Sequence, residues 1–168
     1  MTRIIGYVLA FLLYVILQAF LFEDLVLYHV ARPAVFLIFL LTLPFATPIA
    51  FCYLIAFAMG VSVDLLSVPG TLGFNAFAAV LVMALRNWWV RVITSSNFRS
   101  LAELDFSNQT ALWVASFILP LILVFHFSYF LLEDFSFSRI LFTLWKVLAS
   151  GLYTFVLCFL VAYVFYRK

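Results

Sequence analysis

The chain has 168 residues, of which 68% are apolar and only 10% charged, with nine Lys or Arg and seven Asp or Glu. A soluble domain is about 45–50% apolar and about 25% charged. This composition excludes a soluble enzyme, a disordered chain and a nucleic-acid-binding module, and it leaves an integral membrane protein. Continuous apolar runs such as Phe36-Leu37-Ile38-Phe39-Leu40-Leu41 favour helices over the alternating segments of roughly 10 residues that build a membrane barrel. A helical crossing needs about 20 mostly apolar residues. The expectation is therefore an all-α integral membrane protein of about six transmembrane helices, with 1–168 forming a single transmembrane domain.

Span 1 is expected over Ile4 to Phe22. It ends in Phe22-Glu23-Asp24 without a small-residue cleavage site, so it reads as a retained span rather than a signal peptide. Arg32 and Pro33 then open an apolar run to Leu43 that is short for a helical crossing. It either begins earlier, near Leu25, or crosses a thinned region of the bilayer. Pro44 and Pro48 bracket a turn. Spans 3 and 4 follow over Ile49 to Leu65 and Phe74 to Val92, joined by the turn-rich Ser67-Val68-Pro69-Gly70-Thr71-Leu72-Gly73. Span 5 covers Ala111 to Leu132, where Pro120 frees a carbonyl that a neighbour must satisfy. Span 6 covers Leu144 to Tyr166.

With six spans both termini share a side. That side collects Arg3, Arg86, Arg91, Arg99, Arg167 and Lys168, while Arg32, Arg139 and Lys146 fall opposite. The positive-inside bias then predicts cytoplasmic termini. Trp88 and Trp89 mark the aromatic belt on that side, and Tyr28, Tyr129 and Trp145 mark the other.

Few residues could carry chemistry. Asp64 follows an apolar span and needs compensation. It is a bracing group for the span 3–4 hairpin, a proton or ion site, or a solvated interfacial acid. The start of span 4 offers it free N–H groups and a positive dipole end. Asn75 can bond across helices, and Gly60, Gly70 and Gly73 allow tight turning and close approach. The small surface of Ala76, Ala78, Ala79 and Ala84 serves either internal packing or the docking of another protein's helix. His126 is a satisfied core imidazole or a proton relay. Cys52 and Cys158 read as packing residues. No phosphate cradle, zinc motif or nucleophile elbow occurs in the sequence. No catalytic, cofactor or metal residue is therefore expected. The basic residues are too few and too interleaved with acids to form a nucleic-acid patch.

Gly60-x-x-x-Asp64, Ser67-Val68-Pro69-Gly70 and Gly73-Phe74-Asn75-Ala76 resemble the rod shape-determining protein MreD family of bacteria. Leu43-Pro44-Phe45-x-Thr47 resembles its short-chain, Bacteroidetes-like members. The spacing added by Thr71-Leu72 departs from the tightest form of the pattern, and beyond Trp89 the resemblance is one of hydropathy. The resemblance implies a non-enzymatic inner-membrane scaffold of the elongation machinery that inserts peptidoglycan. It implies binding to MreC, a single-span protein, and through it association with the MreB filament and a wall synthase pair. It also implies a fold similar to the substrate-binding subunits of energy-coupling factor transporters. A small-molecule-binding transporter subunit is the alternative that the same fold would allow.

Overall fold

The computed structural model describes residues 2–23, 25–27, 30–66, 72–94, 104, 106–134 and 140–166. The sequence expectations at Tyr28, His29, Gly70, Arg99, Arg139, Arg167 and Lys168 lie outside them. The apolar runs form five long helices: α1 (Thr2–Leu17), α3 (Ile49–Leu66), α4 (Phe74–Ile93), α5 (Ala111–Asp134) and α6 (Ile140–Val161). Two of them end in a π-helical turn, α1 at Gln18–Phe22 and α6 at Ala162–Tyr166. All five helices are long and apolar enough to cross a membrane. The chain is an all-α, multi-pass membrane protein.

The remaining pass differs from a helical span. Between Arg32 and Phe45 the chain is helical only in α2 (Leu37–Leu41). The expected helix from Leu25 or Pro33 is not formed. Pro33 lacks an N–H and biases Arg32 away from helical backbone, and Pro44 closes the other end. The segment nevertheless runs the depth of the bundle. Arg32 meets Glu133 at the C-terminal end of α5. Phe36 packs on Phe125, and Phe45 on Phe117. At roughly 1.5 Å per residue, α5 covers about 24 Å between 117 and 133. The segment is thus a crossing, mostly non-helical and fully surrounded: Leu37, Ile38, Leu40 and Leu41 are buried completely.

Such backbone survives at membrane depth only when buried in protein that satisfies its polar groups. The helices supply those partners. Gln18 Oε1 accepts from Val35 N–H at 2.8 Å, and Gln18 Nε2 donates to Pro33 O at 2.9 Å. Ser150 Oγ accepts from Arg32 N–H, and Thr154 Oγ1 from Ala34 N–H. Cys158 offers its thiol to Val35 O. Gln18, Ser150, Thr154 and Cys158 thus serve the irregular crossing.

α3, α4, α5 and α6 pack as sequence neighbours, and α1 lies against α3. Counting the irregular crossing, the passes among the described residues are even in number. The start of α1 and the end of α6 therefore share one end of the bundle, called here the terminal end. The other is the acidic end, where Glu133 and Asp134 close α5. Arg86 does not mark the boundary of the terminal end. It sits inside α4, 1% exposed, with its guanidinium 4.1 Å from the centre of the Phe45 ring and donating to Leu43 O. It holds the exit of the crossing instead of facing solvent. Trp89 Nε1 donates to Ser116 O at 3.0 Å. That is the carbonyl whose helical partner Pro120 removes.

Candidate functional site

The tightest polar constellation sits where α3 hands over to α4. Gly73 adopts φ 93°, left-handed backbone open to glycine, and α4 begins on the next residue. Its first turn would leave N–H groups unpaired. Asp64, from the last turn of α3, takes them. Its Oδ2 accepts from Gly73 N–H at 3.0 Å and Ala76 N–H at 3.2 Å. Its Oδ1 accepts from Asn75 N–H at 3.2 Å and Asn75 Nδ2 at 2.9 Å. Asp64 is 4% exposed. It is no solvated interfacial acid but a capping carboxylate reaching across a hairpin, favoured by the positive end of α4.

One turn deeper the two helices touch backbone to backbone. A Cβ on Gly60 would lie 2.3 Å from Ala76 Cα and 2.5 Å from Ala76 N. Gly60, Asp64, Gly73, Asn75 and Ala76 thus form one clamp, and Gly70 lies outside the described residues. Gly60→Ala is expected to cost about 1–3 kcal/mol through overpacking, because helix backbone cannot yield. It should lower the unfolding midpoint in detergent. Gly6→Ala, at a site with nothing within 4 Å, is the matched control and should leave the midpoint unchanged or raised.

Ala76, Ala78 and Ala79 are buried within the chain. This corrects the reading of that face as a docking surface for a second protein: its small residues let α3 and α5 close on α4. Of the four alanines only Ala84 is exposed.

At the acidic end, charges join three elements. Glu133 pairs with Arg32 at 3.2 Å and with Lys146 at 3.4 Å, and Lys146 also reaches Asp134 at 3.2 Å. Tyr129 OH accepts from Arg32, and Thr143 Oγ1 donates to Asp134 at 2.8 Å. The network ties the entry of the crossing to α5 and α6. His126 lies deeper and is buried, its Nε2 2.8 Å from Thr154 Oγ1.

Sequence reasoning passed over Gln18 and Thr154 and read Cys158 as a packing residue alone. Ser150, Thr154 and Cys158 recur every fourth residue, which puts them on one helix face. That stripe was the available signal. Comparison of the chain with protein-family models, curated proteins and solved structures finds no match in any of the three.

Proposed function

We propose that the chain is a non-enzymatic scaffold of the inner membrane, similar to the MreD family. In this reading it binds an MreC-like single-span protein and through it supports the MreB filament and the wall synthase pair, with both termini in the cytoplasm. The observation that carries this reading is the clamp. The residues that resemble the family, Gly60, Asp64, Gly73, Asn75 and Ala76, are those that lock α3 to α4. They serve the rigidity of a bundle, and a scaffold needs a rigid surface. The alternative, a vitamin-binding subunit, draws no support from the cavity beside the crossing. That cavity offers about 30 Å³, against the roughly 300–1,000 Å³ of small-molecule sites.

With the small face of α4 enclosed, the partner surface moves to α1. Only 11% of its apolar stretch is buried, against 56% for α5. Gly6, Leu9, Leu13, Ile16 and Phe20 are exposed along it at alternating three- and four-residue spacing, the register that meets a single partner helix. The test has two arms. Depleting the chain in a rod-shaped host should round the cells, and the tagged chain should co-purify with a one-span partner. Retained rod shape would sink the scaffold reading. Gly6→Leu is expected to reduce co-purification at least several-fold while membrane insertion is unchanged. Undiminished capture would remove α1 as the contact.

A further inference from the structure

Beside the entry of the crossing lies a cavity of about 30 Å³, lined by Gln18, Glu23, Arg32, Asn75, His126, Tyr129 and neighbouring apolar groups. A water needs roughly 10–15 Å³ of such space and two to four polar partners. The cavity therefore has room for about two waters.

Gln18, Asn75, Tyr129 and His126 each retain an unused hydrogen-bonding position. Gln18 Nε2 spends one N–H on Pro33 O and has a second. Asn75 gives Nδ2 to Asp64 and keeps its carbonyl oxygen. Tyr129 OH accepts from Arg32 and retains its own proton. His126 Nε2 shares a hydrogen bond with Thr154 Oγ1, which also accepts from Ala34 N–H. In either tautomer Nδ1, as donor or as acceptor, has no protein partner among the described residues. All four side chains are more than nine-tenths buried. Among the described residues, only Arg86 Nε is a buried side-chain atom sealed without a partner. The spare positions of Asn75 and His126 therefore open on the cavity.

The set mixes donors with an acceptor, its volume excludes an organic ligand, and unpaired polar groups at this depth are costly. Arg32 and Glu133, at 43% and 22% side-chain exposure, stand at the wet end of the bundle. Toward the terminal end, His126 is followed by buried Ile122, Leu121, Ile118 and Phe117. We propose that this cavity is a water-binding site, in which about two water molecules bridge α1, α4 and α5 and hydrate His126 within an otherwise apolar span.

Water-edited solid-state NMR of the full chain in liposomes tests this. Polarisation from water should reach the His126 imidazole several-fold faster than the side chains of Ile118 and Ile122. Val63→Leu adds bulk at the cavity wall and should slow the transfer to His126 several-fold. A wild-type His126 signal as slow as that of Ile118 would overturn the proposal, whether or not the variant folds. A fast signal that Val63→Leu leaves unchanged would overturn it as well, because the water would then reach the ring by another route.

Discussion

Gln18→Met is expected to lower stability by about 3–6 kcal/mol, the largest effect of any single substitution considered. Met fills similar space and restores no hydrogen bond. The change strands Val35 N–H, Phe36 N–H and Pro33 O, all of which Gln18 engages. Each buried group left unpaired costs about 1–3 kcal/mol. Elsewhere in the bundle a helix would reuse those groups in its own ladder, but the crossing has none there. Unfolding by SDS titration in mixed micelles should show the loss as an earlier midpoint. Ile16→Met, two residues away on the exposed face of α1, should change the midpoint little. Equal behaviour of the two variants would refute the account of the crossing.

The second large effect is at Asp64. Asp64→Asn keeps the shape but replaces one acceptor oxygen with an NH₂ group. Both carboxylate oxygens face N–H donors, two apiece. Whichever way the amide turns, two donors lose their acceptor and meet another donor. The expected cost is about 2–4 kcal/mol, since bonds to charged groups are the stronger ones. The same variant separates bracing from proton transfer. Under bracing, function should fall in step with folded protein and return when stabilising changes outside α1 offset the loss. Under proton transfer, folded protein would stay at the wild-type level while function vanished.

Much of the fold was legible because lipid imposes a simple rule. Spans 3, 4 and 5, read as Ile49–Leu65, Phe74–Val92 and Ala111–Leu132, fall within two residues of α3, α4 and α5. Each apolar run stops at a polar or Gly-containing turn. Span 6 begins earlier than read, at Ile140, because Ile140-Leu141-Phe142 already continues the apolar pattern. The Asp64 clamp was partly legible as well: an acid at the end of one span and free N–H groups at the start of the next are close in sequence. The rest depended on partners far apart in the chain. Arg86 looked like a boundary charge because nothing nearby revealed Leu43 O and Phe45. Gln18 passed as an incidental polar residue because its partners are the backbone groups of a segment that hydropathy alone assigns to a helix.

The irregular crossing also constrains how the protein is made. Its partners on the last helix are synthesised late: Ser150 lies 118 residues after Arg32, and Cys158 lies 123 after Val35. While α1 and the crossing leave the ribosome, Gln18 is the only one of these partners that exists. The bonds that Arg32, Ala34 and Val35 make with α6 therefore form only after α6 has been synthesised. The crossing is completed by α6, and truncation within α6 would remove the partners of Arg32, Ala34 and Val35.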